Sequence, residues 1–277
     1  MAQNYAQKTL DIIDERFALE AKTEILVNNG IRLDFAGVNT VTIYNVNVVQ
    51  ETNYVRNGYN RFGSLVELGN GVETFVLSQD KAFTFSVDRG NLEDSMMAQE
   101  ANKAVKRQVR EVSIPTTDIY RLSVMFAYAR ANGQGAVAVL TNSTTFTAML
   151  NERSALVDAL VGIEDLVLIV RSGIEPLLMT DPQFKLASNL GFALNQSGLS
   201  GQVLGMDLMI LPTSYLPANC NFMIVWKSVL VAPTKFNMVR ILDTVPGIDG
   251  VVAEGRRYYD AFIPTNKGVG IRAHASS

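Results

Sequence analysis

Residues 40–133 hold the feature that most constrains this chain. A β-branched, alternating stretch, Val41-Thr42-Ile43-Tyr44, predicts a strand. A long polar, turn-rich segment follows, and Phe83-Thr84-Phe85-Ser86-Val87 predicts the return strand before a long helix. Within the segment, Asn57-Gly58 and Asn70-Gly71 are turn signals. Tyr54, Arg56, Tyr59 and Arg61 lie between them, where large aliphatic residues are few. Such a segment has little with which to bury itself. Structureless connections of this length are uncommon in compact domains and are mostly functional or disordered. A two-stranded arm on a rigid helix makes little sense in an isolated globule. It makes sense if the arm lies on a neighbouring copy of the same chain, and Tyr and Arg are enriched among interface anchors. A solvated hairpin without a partner is the alternative.

The helix after the arm is charge-polarised. Asn91 suits an N-cap, with Glu93 and Asp94 in the first turn and Lys103, Lys106, Arg107 and Arg110 in later turns. Acid at the start and base at the end both complement the helix dipole. Leu92, Met96, Ala101, Val105, Val109 and Val112 trace a narrow apolar stripe, so the helix is expected to lie across a sheet or another helix. No aromatic residues interleave with the basic cluster. That favours a solvated face or intersubunit salt bridges over a nucleic-acid patch. Ile114-Pro115 is expected to break the helix, because a residue before proline avoids the α region. Pro115 then opens a second helix, with Asp118 in its first turn facing the dipole. Ile119, Leu122, Met125, Phe126 and Ala129 form its apolar face, and Asn132-Gly133 ends it.

On either side of this region the pattern changes. Residues 5–27 have helical spacing, with Leu10, Ile13 and Phe17 on one face, and Asn29-Gly30 stops them. That helix packs either on its own core or on a neighbour. Residues 136–217 alternate element types: helices over 145–151 and 154–161, a strand at 166–170, a helix capped by Ser172, and a strand at 207–211. This predicts a compact α/β insert with a central sheet. The final third is strand-rich at 222–226, 228–231, 238–242, 256–263 and 268–272. These strands are expected to return to the sheet that accompanies the long helix.

Composition acts mainly by exclusion. With 277 residues the chain makes one large domain or two medium ones. Lys+Arg 24 against Asp+Glu 27 leaves a net charge of -3, which offers no electrostatic footprint for wrapping nucleic acid. The single cysteine, Cys220, rules out an intrachain disulfide and is expected to be a buried apolar residue. The only histidine is His274, in the C-terminal tail. One Cys and one His cannot build a Cys/His zinc site, and a Ser-His-Asp triad is not supported. Gly198, Gly201 and Gly205 do not sit in the strand, tight turn and helix context of a phosphate or dinucleotide motif. The expectation is a non-enzyme with no cofactor and no metal. The polar N-terminus lacks the apolar core of a signal peptide, and no apolar run approaches the about 20 residues of a membrane span. A soluble protein of a reducing compartment, with no membrane partner, is expected. The sequons at Asn142 and Asn195 therefore carry no weight.

Four fragments bring a family into view: Asn53-Tyr54-Val55-Arg56-Asn57; Gln79-Asp80-Lys81 through Phe85-Ser86-Val87-Asp88; Val112-Ser113-Ile114-Pro115-Thr116-Thr117-Asp118-Ile119-Tyr120-Arg121; and Gly205-Met206 before a strand. In this order, across nearly the whole chain, the sequence resembles the major capsid protein of tailed bacteriophages, the Hong Kong 97 fold. The resemblance implies an α+β subunit with an N-terminal arm (1–39) and an extended β-hairpin loop with flanking strands (40–90). Peripheral-domain helices follow, including a long spine helix (91–135), then an α/β axial domain (136–217) and a strand-rich return to both domains (218–277). It implies a structural virion protein, assembled in the host bacterial cytoplasm into hexamers and pentamers. These would form an icosahedral head that encloses double-stranded DNA without specific binding.

Intersubunit contact is then expected at Tyr54, Arg56, Tyr59 and Arg61 in the loop and at Lys103, Lys106, Arg107 and Arg110 in the spine helix. The implied partners are further copies, a portal, and decoration or cementing proteins. Some members of the family crosslink through a loop lysine. Residues 47–74 contain no lysine, so that bond cannot form from this loop. The chain begins almost directly with the arm helix, which implies a separate scaffolding protein or none. An encapsulin-type nanocompartment shell shares the fold and is the alternative. A carboxylate-using cytosolic α/β enzyme, or a tail or sheath component, ranks lower.

Overall fold

The run Leu166-Val167-Leu168-Ile169-Val170 is apolar without alternation, the pattern of a strand covered on both faces. In the computed structural model it forms β5 (Leu166–Arg171), the middle of a five-stranded sheet. The structure describes residues 22–31, 33–36, 39–46, 48–88, 104–184, 201–242, 245–247 and 249–276. Most of the expected arm helix at 5–27 lies outside these residues, as do Asn91 and Lys103. Residues 30–78 form one unit, and the remaining described residues form another.

The five strands are β5, β6 (Gly201–Val203), β7 (Met206–Leu211), β8 (Cys220–Trp226) and β11 (Ile271–Ala275), in the order β11-β8-β5-β7-β6. Only β5 and β7 run parallel. Alternation sorts β5 into two cores. Val167 and Ile169 join Met223, Val225 and Ile271 beneath Leu122, Met125 and Ala129 of α1 (Ile114–Ala131). Leu166, Leu168 and Val170 join Phe222 and Ile224 on the other face. There they meet Phe146, Met149 and Leu156 of α2 (Thr145–Asp158) and Leu178 of α3 (Glu175–Thr180). Each of these side chains except Ala129 contributes about 1.5–3 kcal/mol by leaving water.

The last third divides between two sheets, which corrects the expectation that it all returns to the sheet beside the long helix. β8 and β11 complete the five-stranded sheet, whereas β9 (Thr234–Leu242) and β10 (Gly250–Tyr259) pair with β4 (Gln79–Asp88) in the order β4-β10-β9. The reason is burial. β8 is covered on both faces and belongs in a sandwiched sheet, whereas β9 has its polar residues exposed. Residues 228–231 form isolated bridges, Val27↔Leu230 and Val231↔Phe262, rather than a strand. On β10, Gly255 lies opposite Phe83, and a Cβ there would sit 2.3 Å from the Phe83 ring. Glycine is thus required for the ring to lie over the strand. Phe83 and Phe85 stack and pack with Val105, Val109, Ile114, Val239 and Ala253.

Pro115 does not break the helix. Helix over 104–108 passes through a π turn (Val109–Ser113) directly into α1, and Ile114 has helical φ/ψ of -64° and -52°. The Ile114 N–H reaches the Val109 carbonyl, a five-residue step that widens the helix just where a proline ring would otherwise meet the carbonyl four residues back. The extra residue also shifts the buried stripe from Val105 and Val109 to Ile114, so the predicted stripe residue Val112 is exposed. Because the helix starts earlier, Asp118 lies in its interior rather than its first turn. It is fully buried and accepts hydrogen bonds from the Lys22 N–H (3.0 Å), the Thr23 N–H (3.3 Å) and Thr23 Oγ1 (2.6 Å). It therefore pins the 3-10 turn Glu24–Leu26 to α1. Asn132 and Gly133, at φ +65°, end the helix as expected. The helices expected over 145–151 and 154–161 are one helix, α2. Ser172 does not cap α3; Ile174 occupies that position.

In the smaller unit, β1 (Asp34–Ala36), β2 (Thr40–Val46) and β3 (Asn70–Val76) form an antiparallel sheet in that order. The strand that returns to β2 is thus β3, in register from Thr40↔Val76 to Val46↔Asn70. The expected return strand, 83–87, lies in β4 and pairs with β10 instead. Asn70-Gly71 is the start of β3 and not a turn, because Asn45 pairs with Gly71 in the ladder.

Candidate assembly surfaces

Residues 48–69 connect β2 to β3 and organise themselves at the tip. The Val55 N–H donates to the Arg61 carbonyl (3.0 Å), Arg61 Nε to the Gly58 carbonyl (3.2 Å) and Thr52 Oγ1 to the Phe62 carbonyl (3.0 Å). Gly58, at φ +95°, makes the turn that Asn57-Gly58 signalled. Tyr54 and Phe62 meet edge-on at 5.0 Å. These bonds shape the loop without burying it. Tyr59 and Leu65 are 101% and 102% exposed, Val48 94% and Phe62 85%. Val49, Val55, Val66 and Leu68 are also more than half exposed. A concentration of large apolar side chains in water marks an interaction surface.

Of the loop residues expected at contacts, Arg56 and Tyr59 are exposed, Arg61 is partly engaged within the tip and Tyr54 is paired with Phe62. On the helix, Lys106 and Arg110 are exposed. Arg107 makes a two-bond ion pair with Glu111 on its own helix (3.0 and 3.2 Å), which raises its pKa and lowers that of Glu111. The intrahelical partner meets part of the need assigned to a neighbour. Lys103 lies outside the described residues. The apolar residues Val48, Phe62, Leu65 and Leu68 were overlooked in the sequence. Their signal was an apolar content without either periodicity, in a segment between turn residues.

The outer face of the β4-β10-β9 sheet is cross-linked by charge around Phe236, Met238 and Tyr258. Arg256 pairs with Asp80 and Arg240 with Glu254. The hydrogen bond from Arg256 holds the Asp80 carboxyl below its ordinary pKa. Nearby, a cleft of about 460 Å³ is lined by Glu24, Thr117, Arg121, Arg257, Tyr259 and Asp260 among others. Arg121 Nη1 donates to Glu24 and Thr23, Tyr120 Oη donates to Asp260 Oδ1, and Arg257 Nη1 donates to the Ser113 carbonyl and Thr117 Oγ1. Burial lowers the Arg257 pKa. Glu24 and Asp260 are engaged in these bonds between elements.

Neither candidate for reactive chemistry is accessible. Cys220 is buried, and burial pushes its thiol up to about 12. Thiol reagents are therefore expected to leave the folded chain unmodified and to label it fully in denaturant; labelling at the same rate in both states, read by intact mass, would contradict this placement. His274 is not in a tail. It is buried in β11, stacked on Phe222 at 5.0 Å, with Nδ1 3.2 Å from Asn221 Nδ2. Among the described residues no group of three His, Cys, Asp or Glu side chains could hold a metal ion, and no helix is long and apolar enough to cross a membrane.

Comparison with solved structures gives the architecture its context. A chain of the capsid of cyanophage P-SCSP1u superposes with a TM-score of 0.68 at 9% identity, covering 93% of this chain and 88% of that one. This is a phage capsid fold. A chain from the mature capsid of bacteriophage PhiM1 matches at a TM-score of 0.64 and 12% identity, over 87% of this chain and 82% of that one. One from the satellite phage P4 procapsid, a structure that includes the size-determination protein, matches at 0.55 and 10%, over 97% and 91%. No protein-family model matches the sequence, and no curated protein does. At these identities the likeness concerns the fold, and it covers between 82% and 91% of those three chains. The mixed α/β architecture agrees with the resemblance read from the sequence.

Proposed function

We propose that this chain is the major capsid protein of a tailed phage, with the Hong Kong 97 type of fold. It self-assembles into hexamers and pentamers of an icosahedral head around double-stranded DNA. The observation that carries the reading is the surface of residues 48–69. Tyr59, Phe62 and Leu65 stand in water on a chain whose fold matches capsid subunits over most of its length. In this reading 40–90 is the extended loop that lies on a neighbouring subunit, and 1–39 is the arm. Residues 91–135 form the peripheral helices with the spine, 136–217 the bulk of the axial domain and 218–277 the return to both. The split of β8 and β11 from β9 and β10 between two sheets supports that last assignment. Assembly takes place in the host cytoplasm with a portal. Any scaffolding protein is a separate one, and decoration or cementing proteins fit the outside of the shell. Net charge of -3 is in keeping with enclosing DNA rather than gripping it.

The test is negative-stain electron microscopy of the purified chain, alone and co-expressed with the head proteins encoded beside it, with size-exclusion chromatography alongside. Closed shells, or rings of five and six subunits, are expected. Tubes would mark a tail or sheath component, and a monomer that persists in both settings would overturn the reading. Within an assembling preparation, Arg56→Ala with Arg61→Ala is expected to weaken association and leave the circular dichroism spectrum unchanged. Loss of that spectrum would remove these residues from the contact.

A further inference from the structure

The sequence contains four Asn-Gly pairs, at Asn29, Asn57, Asn70 and Asn132. In such a pair the backbone nitrogen of the glycine can attack the asparagine side-chain amide, provided both groups are free to meet. The structure separates the four. Gly71 is held in the β2–β3 ladder opposite Asn45. The Gly133 N–H donates to the Arg130 carbonyl (3.3 Å), and Asn132 Nδ2 donates to the Tyr128 carbonyl (2.8 Å), so both reacting groups are engaged. Gly30 is engaged in an interaction of its own. At the loop tip, Asn57 and Gly58 are exposed, and neither the Asn57 amide nor the Gly58 N–H makes a hydrogen bond among the described residues. Gly58 bonds only through its carbonyl, which accepts Arg61 Nε, and no atom crowds the Cβ position there. With no side chain on Gly58, its nitrogen meets the least steric resistance to closing a five-membered ring.

We propose that Asn57-Gly58 is a self-modification site, at which the loop converts its own asparagine to aspartate or isoaspartate. The Gly58 nitrogen loses its proton to solvent and bonds to Asn57 Cγ. The Cγ–Nδ2 bond breaks, and ammonia leaves with a proton from water. The resulting succinimide takes up one water at either carbonyl and opens to aspartate or isoaspartate. The sum is amide plus water giving carboxylate plus ammonium, with no change of oxidation state. The product places a negative charge between Arg56 and Arg61, on the segment proposed to contact a neighbour. Charge there would alter electrostatic complementarity at the contact, so a subunit that waits unassembled would lose competence with age. That consequence rests on the proposed assembly role; the chemistry at Asn57 does not.

The experiment ages the full-length chain and Asn57→Gln in mildly alkaline buffer and maps peptides by mass spectrometry, with isoaspartate detected by enzymatic methylation. The expected result is the mass gain of amide replacement at Asn57, a signal absent from Asn57→Gln, and slower conversion at Asn29, Asn70 and Asn132. Retention of the Asn57 amide, or conversion of any of the other three at an equal rate, would overturn the proposal. Asn57→Asp is then compared with Asn57→Gln for shell formation. A selective loss in Asn57→Asp supports the ageing consequence. Equal yields would show the modification to be silent, while the site itself stands or falls by the peptide map.

Discussion

A triple variant, Tyr59→Ser, Phe62→Ser and Leu65→Ser, is expected to fold as the parent does and to fail to assemble. The three side chains are almost wholly in water in the single chain, so their loss costs the subunit little; surface substitutions of this kind change stability by roughly 0.5 kcal/mol or less. Among the described residues, the edge contact of Phe62 with Tyr54 is the ring contact given up. Buried against a neighbour, each large side chain would contribute about 1.5–3 kcal/mol. Allowing for non-additive interface energies, roughly 5 kcal/mol is lost per contact. That is a factor of about a thousand or more in the concentration at which association begins. Light scattering against protein concentration measures the shift, and urea unfolding checks the fold. An unchanged assembly threshold would mean that the apolar loop faces something other than another copy.

The second large effect concerns the interior. Glu152→Ala should destabilise the chain by roughly 1.5–3 kcal/mol, the range for hydrogen bonds to a charged group, because Arg272 is only partly buried. Glu152 on α2 is buried. It accepts the Ala136 N–H at 2.7 Å and pairs with Arg272 of β11, so one carboxylate ties a helix, an edge strand and the segment after α1 together. Glu152→Gln keeps an acceptor for the Ala136 N–H and should cost less. The neighbouring imidazole supplies an independent readout. Burial holds the His274 pKa below its ordinary 6.5, Glu152 pulls it up and Arg130 pushes it down. Losing Glu152 therefore moves the titration of the only histidine to lower pH, visible as a single imidazole resonance. Because the folded pKa is depressed, the stability contributed by neutral His274 is present above the unfolded pKa and is lost as pH falls through the folded one. A loss under 1 kcal/mol, with the titration unmoved, would show that the Glu152 bonds are not structural.

Much of this architecture was readable from local pattern. The apolar run at 166–170 forms the expected strand, and Asn132-Gly133 ends its helix as expected. Asn57-Gly58 turned as signalled, while the same pair at Asn70-Gly71 opens a strand. Other signals were outvoted. Pro115 ended a helix by every local rule, yet the chain accommodates it in a π turn because Val105, Val109 and Ile114 all gain burial against the β4-β10-β9 sheet. Asp118 looked like a first-turn acid, and its role as a buried anchor for Thr23 depends on residues 95 positions apart in sequence. The expectation of a return strand fell on 83–87 alone, although Asn70–Val76 is a strand as well. Only pairing distinguishes β3, which closes on β2, from β4, which closes on β10.

The candidate surface divides in the same way. Sequence identified the loop and its Tyr and Arg residues, because turn signals and interface-prone residue types are local properties. It undervalued Phe62, Leu65 and Val48, since whether an apolar side chain is covered is not a local property. By itself, then, the sequence marked most of the strands and helices, because those follow from residue type and period, though not the strand Asn70–Val76. The tertiary structure decided which strands share a sheet, that the helix runs through Pro115, and which apolar residues remain in water. Each of those outcomes is set by contacts between residues far apart in the chain, which no window along the sequence contains.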